Sequence, residues 1–253
     1  MGIADFKERM LRGDLLAGTF LKTPSYELIE VLAGSGLDFL CLDAEHAPFD
    51  RARLDMCLAI AQALDFPVLV RPGAATAPDI LQALDSGAVG IVAPHVDSAE
   101  KAADVARWGH FGLGGRGYAG SSRWAGWASR KMPDVMADDS QTIMIAQIEE
   151  PAGVDAAPEI AATPGIDGLF LGPADLTVGY GHTDQANADV AAAFERCGKA
   201  AADAGCAYMT FVANAAQAQG LRQHGLTMFF IASEHSWMRA GARAEATGIH
   251  DLD

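Results

Sequence analysis

Short apolar runs alternate with amphipathic stretches along the whole chain, and this alternation constrains the fold more than any other feature. The runs that we interpret as strands number about eight and cover residues 17–21, 38–42, 67–71, 89–93, 142–148, 168–171, 207–212 and 228–232. Strands buried on both faces by helices are continuous apolar runs, and about eight of them are enough to close a barrel. The pattern therefore predicts a (β/α)₈ TIM barrel in a single domain over residues 1–253. A doubly wound open sheet has the same alternation and is the alternative.

Helix start and stop signals lie between these runs. Thr76 precedes Ala-Pro and an apolar stripe that can end at Gly87. A second stripe ends near Gly205, and Ser98 and Asn214 are further candidate N-caps. Hydroxyl and amide side chains cap helix starts, and glycine ends helices because it adopts the left-handed conformation. These signals predict helices in the intervals that a barrel requires.

Composition excludes several classes of function. The net charge of −15 and the pI near 4.7 argue against nucleic acid or an anionic membrane as the partner. No secretory signal and no run long enough to span a bilayer is visible in the sequence. The four cysteines form no Cys-x-x-Cys pair, and Cys41 and Cys197 fall in apolar stripes typical of a core. We therefore expect a cytoplasmic protein whose cysteines do no chemistry.

Charged residues follow several of the predicted strands directly. In α/β barrels the active site lies at the carboxyl ends of the strands, so these residues are expected to meet around one mouth. They belong to four segments: Asp43-Ala44-Glu45-His46, Arg71-Pro72, Gln147-Ile148-Glu149 and Gly172-Pro173-Ala174-Asp175.

Two acids in these segments are candidate ligands for a hard divalent cation. Glu149 and Asp175 follow adjacent predicted strands. Mg²⁺ or Mn²⁺ prefers oxygen ligands and often takes one or two protein carboxylates, which leaves positions for water and a chelating substrate. The chain has no Cys/His cluster at zinc spacing, so a structural zinc site is not predicted.

The other segments suggest proton transfer and anion binding. His46 next to Asp43 and Glu45 is suited to proton transfer, held in one tautomer by a carboxylate, although a lone loop histidine is more often structural. Arg71 is suited to a developing enolate, and its alternative is an ion pair at the barrel rim. The backbone amides of Ala174 and Asp175 can bind a carboxylate.

Residues 112–140 interrupt the alternation with a long loop rich in glycine and tryptophan. This loop carries Arg116, Arg123, Arg130 and Lys131, which suggests either an anion-binding or subunit-contact loop or a solvated surface. It also contains Gly-x-Gly-x-x-Gly at residues 112–117, but no strand precedes this motif and no helix follows it, so a dinucleotide site is not predicted. Lys22, after the first strand, is the sole evident candidate for a Schiff-base lysine.

The motifs together resemble the class II pyruvate aldolases of the HpcH/HpaI family. They occur in the family's order over residues 16–242, as Asp43-Ala44-Glu45-His46-Ala47-Pro48, Val70-Arg71-Pro72, Arg116-Gly117, Gln147-Ile148-Glu149 and Gly172-Pro173-Ala174-Asp175-Leu176. Within that family the motifs resemble those of the 4-hydroxy-2-oxoheptanedioate and 2-keto-3-deoxy-sugar-acid aldolases.

The resemblance implies an assembly and a set of site residues. It implies a hexamer that exchanges its C-terminal helix between subunits, and a divalent metal, Mg²⁺, Mn²⁺ or Co²⁺. By this resemblance Glu149 and Asp175 would bind the metal, and Arg71 would stabilise the enolate. His46 with Asp43 would transfer protons, and Asp85 would reach a neighbouring subunit's site. The residues that would bind pyruvate are Gln147, Gly172, Pro173 and Ala174. Whether His46 or a water on the metal is the base stays open.

We thus expect an aldolase that reversibly cleaves 4-hydroxy-2-keto acids to pyruvate, or a related 2-keto acid, and an aldehyde. The alternatives are a CoA-ester lyase of the citrate or malyl-CoA type and a non-catalytic keto-acid-binding barrel. Two segments depart from the family pattern: residues 232–236 after the last strand, and the basic loop of residues 115–130. We expect both to shape the aldehyde pocket.

Overall fold

Eight parallel strands close into a barrel in the computed structural model, which describes residues 2–252. Each strand pairs with the next along the chain, and the last pairs with the first. The strands are β1 (Leu16–Leu21), β2 (Phe39–Asp43), β3 (Val68–Arg71), β4 (Gly90–Ala93), β5 (Ile143–Ile148), β6 (Gly168–Leu171), β7 (Ala207–Val212) and β8 (Met228–Ser233). The TIM-barrel prediction is confirmed, with every strand within one residue of its expected bounds, and the open-sheet alternative is wrong.

Helices fill the intervals between the strands. They are α1 (Ile3–Arg12), α2 (Tyr26–Ala33), α3 (Arg51–Ala63), α4 (Ala77–Asp85), α5 (Ala99–Gly109), α6 (Met132–Ala137), α7 (Pro151–Asp155), α8 (Ala157–Ala161), α9 (Pro173–Gly179), α10 (Ala188–Ala204), α11 (Ala215–Leu221) and α12 (Glu234–His250). The predicted caps are confirmed: Thr76, Ser98 and Asn214 each accept a hydrogen bond from the first turn of their helix. Gly205 ends α10 in the left-handed conformation, with φ of 70°.

Apolar side chains from alternate strand positions fill the barrel interior. Phe20, Phe39, Phe170 and Phe230 pack there with ring centroids 4.8–5.9 Å apart. Phe6 of α1 contacts Phe39 and is fully buried, so the first helix covers the amino-terminal end of the barrel. Interdigitated rings of this kind make the interior a packed core rather than a channel.

Gly18 in β1 permits this packing. A Cβ atom at Gly18 would lie 2.4 Å from the ring of Phe39. Any larger residue would therefore displace the ring that contacts both α1 and the central aromatic cluster.

A second apolar layer lies between the strands and the surrounding helices. Cys197 of α10 belongs to this layer, whereas Cys41 of β2 belongs to the barrel interior. Both are fully buried, which confirms their interpretation as small core residues. Burial raises the pKa of all four thiols: those of Cys57 and Cys206 to about 11, that of Cys197 to about 12, and that of Cys41 still further.

The loop of residues 112–140 lies at the amino-terminal end of the barrel, away from the mouth. The backbone N–H of Trp124 donates to the carbonyl of Asp85, the last residue of α4, at 3.4 Å. The loop therefore does not reach the carboxyl ends of the strands in its own chain. The expectation that it shapes the aldehyde pocket is wrong for the pocket of that chain. Among residues 2–252, no helix is long and apolar enough to cross a membrane.

Candidate active site

The alternation that packs the barrel interior also builds its mouth. Because side chains two positions apart in a strand point to the same face, the row of Phe39 and Cys41 in β2 continues to Asp43. The row of Leu69 in β3 continues likewise to Arg71. The apolar layers thus end in a ring of polar side chains at the carboxyl ends of the strands.

Asp43 is the centre of this polar ring. It is fully buried and accepts two hydrogen bonds from Arg71, from Nε to Oδ1 at 3.0 Å and from Nη2 to Oδ2 at 2.8 Å. The backbone N–H of His46 donates to Oδ1 at 3.1 Å, and Nζ of Lys22 lies 3.1 Å from Oδ2. Burial alone would raise the pKa of Asp43, but the hydrogen bonds and charge of Arg71, the His46 N–H and the charge of Lys22 together lower that pKa. Asp43 is therefore a fixed anion that orients Arg71.

Glu149 lies next to this group at the end of β5. Its side chain is almost completely buried, and it accepts from Nε2 of Gln147 and from the backbone N–H of His95, the latter at 2.8 Å. Burial raises the pKa of Glu149, and the hydrogen bonds from Gln147 and His95 offset only part of that effect. The imidazole of His95, 3.2 Å from Oε1, also lowers the pKa but does not cancel the effect of burial, so this buried carboxylate is suited to receive a cation.

Glu45, His95 and Glu149 form a group of candidate metal ligands, each offering one atom, with these atoms all within 4.8 Å of one another. Oε1 of Glu45 lies 3.2 Å from Nε2 of His95. Oε2 of Glu45 is buried and accepts no hydrogen bond from the described residues, since the nearby Nε of Arg71 donates to Asp43. Oε1 of Glu45 therefore lies on the side of His95 and Glu149, and carboxylate oxygens in such a group are donors that a divalent cation takes.

His95 was not predicted from the sequence, although it follows β4 by two residues. Its φ of 55° is unusual for a residue other than glycine. Nζ of Lys101 donates to its carbonyl, and its Nδ1 lies 3.0 Å from Oε1 of Glu150. The rule that found the other strand-end residues would have found it too, because a histidine directly after a barrel strand is a candidate ligand.

His46 lies at the pocket, with its imidazole near Glu45 and not near Asp43. Its side chain is exposed, and Nε2 lies 3.7 Å from Oε2 of Glu45, whereas Asp43 binds the backbone of His46 and not its ring. Of the two acids that neighbour His46 in the sequence, Glu45 is therefore the one whose carboxylate lies near the imidazole.

A pocket of about 190 Å³ opens over the polar ring. Ligand pockets for larger molecules measure roughly 300–1,000 Å³, so this one fits a small metabolite. It brings together the predicted residues His46, Arg71, Gln147, Gly172, Pro173, Ala174 and Asp175, with Phe20, Lys22, Phe170 and Phe211 completing the wall. Asp43 lies beneath the pocket, where it accepts hydrogen bonds from the pocket residue Arg71. Glu149 adjoins the pocket at Gly172, since a Cβ atom at Gly172 would lie 2.9 Å from the Cβ of Glu149.

Asp85 is the one predicted site residue that lies elsewhere. It is the last residue of α4, at the amino-terminal end of the barrel, and Oδ1 accepts from Nη2 of Arg116 at 2.6 Å. The guanidinium of Arg116 packs between the rings of Phe111 and Trp124 at 4.7 and 4.8 Å. Asp85 therefore does not reach the pocket of its own chain.

A closed parallel barrel with a buried arginine, a group of carboxylates and a small pocket at the carboxyl ends of its strands defines a TIM-barrel enzyme. Residues 16–239 match the family described as HpcH/HpaI aldolase/citrate lyase, and the chain belongs to that family.

Individual relatives agree with this assignment. The hydroxypyruvate/pyruvate aldolase of Paraburkholderia phytofirmans is 36% identical over 245 residues, which cover 94% of each chain. The 2-keto-3-deoxy-L-rhamnonate aldolase of Escherichia coli K12 is 37% identical over 185 residues, 72% of this chain and 68% of that protein. The crystal structure of an HpcH/HpaI aldolase/citrate lyase family protein from Burkholderia cenocepacia superposes with a TM-score of 0.92 at 32% identity, over 98% and 99% of the two chains.

Proposed function

We propose that this chain is a metal-dependent aldolase, a carbon–carbon lyase that reversibly cleaves 4-hydroxy-2-keto acids. Its products are pyruvate, or a related 2-keto acid, and an aldehyde. The observation that carries the proposal is the small pocket that places Arg71 and Gln147 beside the buried Glu149. Relatives named as aldolases support it, and they do not favour the CoA-ester lyase or the non-catalytic barrel.

Glu149 and Asp175 are the residues we propose to hold the divalent cation, Mg²⁺, Mn²⁺ or Co²⁺. Glu149 is buried beside the pocket and Asp175 lines it. Glu45 and His95 offer further donors next to Glu149. When bound, the cation supplies a Lewis acid that polarises the keto group and lowers the cost of forming an enolate.

Arg71 is proposed to stabilise the negative charge that develops on the keto oxygen. Asp43 holds two nitrogens of the guanidinium, so Arg71 is oriented before substrate arrives and loses little entropy on binding. Gln147 and the backbone amide of Ala174, with Gly172 and Pro173 shaping the turn, are proposed to hold the 2-keto acid.

His46 is the proposed proton carrier. Its exposed imidazole lines the pocket, and Glu45 lies within 3.7 Å of Nε2. In the cleavage direction it would accept the proton of the C4 hydroxyl, and in condensation it would return that proton to the aldehyde oxygen.

The assembly and cellular location are proposals as well. We propose one domain over the whole chain and a cytoplasmic hexamer in which α12 is exchanged between subunits and Asp85 approaches a neighbour's site. The exposed side chains of Trp237, Met238 and Ile249 on α12 support a partner for that helix. Light scattering of the full chain and of a chain ending before α12 tests the assembly.

The experiment that tests the function is retro-aldol release of pyruvate from a 4-hydroxy-2-keto acid, followed through lactate dehydrogenase. Protein stripped by a chelator is compared with the same protein after Mg²⁺ or Mn²⁺ is added back. We expect release only with metal. Full activity after exhaustive chelation would exclude the metal-dependent mechanism, and trapping of Lys22 by borohydride would then test a Schiff base.

A further inference from the structure

Lys22 brings a second cation to the pocket, and the mechanism above does not use it. It follows β1, lines the pocket, and is about one-third exposed. Its Nζ lies 3.1 Å from Oδ2 of Asp43, the acidic group with which it pairs among the described residues. Because an ammonium has three N–H donors, donors remain that can reach a ligand in the pocket.

The lining of the pocket carries two cations, Arg71 and Lys22, and one carboxylate, Asp175. One buried carboxylate is shared by two cations, Arg71 and Lys22. Glu45 approaches Arg71 at 3.3 Å, but its other oxygen pairs with His95 on the side of Glu149. The rest of the pocket wall near Lys22 includes the apolar rings of Phe20 and Phe211. An anion that enters next to these rings meets Lys22, whose ammonium has more N–H donors than its single contact with Asp43 uses.

Glu234 holds the backbone that carries Lys22. It is the first residue of α12, is almost completely buried, and its Oε1 accepts from the backbone N–H groups of Lys22 at 3.0 Å and Thr23 at 2.7 Å. Nε2 of His235 lies 2.8 Å from the hydroxyl of Thr23. The segment after β8, one of the two that depart from the family pattern, therefore fixes the turn after the neighbouring strand β1.

We propose that Lys22 is a carboxylate-binding residue of the pocket, positioned by Glu234, and that it binds a carboxylate of one of the two substrates. The carboxylate belongs either to the 2-keto acid or to the aldehyde. The proposal rests on the proposed aldolase function, but binding measurements test it separately.

The test uses the full-length protein with Lys22→Met, which keeps the length of the side chain and removes its charge. Lys199→Met is the matched control, since Lys199 is exposed on α10 and pairs with Asp203. Exchange of the pyruvate methyl protons with deuterium reports on the 2-keto acid alone. Condensation of pyruvate with 4-oxobutanoate and with the uncharged butanal reports on the aldehyde.

Two results support the proposal and identify the source of the carboxylate. If Lys22 binds the 2-keto acid, Lys22→Met raises the KM for pyruvate in the exchange reaction by about 10- to 100-fold, the effect of losing a hydrogen bond to a charged group. If it binds the aldehyde, the ratio of kcat/KM for 4-oxobutanoate to that for butanal falls by about the same factor. Lys199→Met moves neither quantity.

A fall in kcat for all substrates, with KM and the ratio unchanged, overturns the proposal, because Lys22 would then act on Asp43 alone. If the wild type neither exchanges nor condenses, the aldolase function fails and saturation-transfer NMR of pyruvate and 4-oxobutanoate decides about Lys22. Weaker binding of either ligand to Lys22→Met than to the wild type supports the subsite, and equal binding of both overturns it.

The positioning role of Glu234 has its own variants. Glu234→Ala removes the acceptor and is expected to change the same KM or the same kcat/KM ratio as Lys22→Met. Glu234→Gln keeps an acceptor oxygen and is expected to leave that KM or ratio near the wild-type value. Melting temperatures of both variants separate this effect from lost stability. A substrate profile of Glu234→Ala that equals the wild type's overturns the positioning role.

Discussion

Asp43 and Arg71 are direct neighbours in the barrel sheet, paired in register between β2 and β3, and two hydrogen bonds of 3.0 and 2.8 Å join their side chains. The pair links the fold to the chemistry, since the same strand pairing that closes the barrel also aligns the guanidinium with the pocket. A bidentate contact of this kind sets the direction of the side chain as well as its charge.

Asp43→Asn is expected to destabilise the protein by about 3 kcal/mol near neutral pH, because it leaves the buried Arg71 without its counter-charge. The folded pKa of Asp43 is lowered, so its contribution is complete above about pH 4, the unfolded value, and is lost as the pH falls through the folded value. Urea unfolding of wild type and variant across this range measures the difference. If the difference in the free energy of unfolding between wild type and variant stays constant well below about pH 4, the claim that ionised Asp43 stabilises the fold is wrong. Asp203→Asn, at an exposed ion pair, is the control.

Arg71→Lys is expected to lower kcat by about 100-fold, since lysine keeps the charge but cannot donate a planar fork to both Asp43 and an oxyanion. Arg9→Lys is the matched control: Arg9 pairs with Asp14 and Asp38 at the other end of the barrel. The measurement is steady-state pyruvate release, with the melting temperature recorded for each variant. Equal rates for the two variants would exclude Arg71 from the reaction.

Glu149→Gln and Asp175→Asn are each expected to weaken Mn²⁺ binding at least about tenfold. Residues that only hydrogen-bond to a metal ligand already cost about 10–100-fold in metal affinity when they are mutated, and a ligand itself is expected to cost no less. His95→Gln is expected to have a smaller effect. Calorimetric titration with Mn²⁺ measures all three. Loss of binding in His95→Gln with normal binding in Asp175→Asn would instead identify Glu45, His95 and Glu149 as the ligand set.

Gly18→Ala is expected to destabilise the protein by about 1–3 kcal/mol, because its Cβ would lie 2.4 Å from the ring of Phe39. Gly220→Ala in α11 is the control, since nothing lies within 4 Å of a Cβ there. Helix propensity predicts that this second change is neutral or stabilising. Chemical unfolding of both variants measures the effect, and equal stability would show that the ring moves aside at little cost.

The four cysteines are expected to react slowly with a thiol-specific disulfide reagent at mildly basic pH. The pKa values of Cys57 and Cys206 are raised to about 11 and that of Cys197 to about 12 by burial, so little thiolate is present. Absorbance of the released chromophore before and after denaturation measures the rates. Fast labelling of the folded protein would show that a thiol is more accessible than the structure indicates.

The sequence by itself determined the barrel and most of its mouth. Strands buried on both faces must be apolar throughout, so their bounds are visible as runs, and residues directly after them must lie at one end of the barrel. Arg71, Gln147 and Asp175 were found in this way, and all three line the pocket.

Only the tertiary structure decided how side chains from distant segments pair. Glu234 binds the turn at Lys22 across more than two hundred residues, and Glu45 rather than Asp43 is the carboxylate near the ring of His46. Asp85 lies at the opposite end because it ends a helix that runs back from the mouth. The apolar pattern of a strand is visible within its own short segment of sequence. The contact of Glu234 with the turn at Lys22 instead joins segments far apart in the sequence, and it forms only because barrel closure brings β8 beside β1.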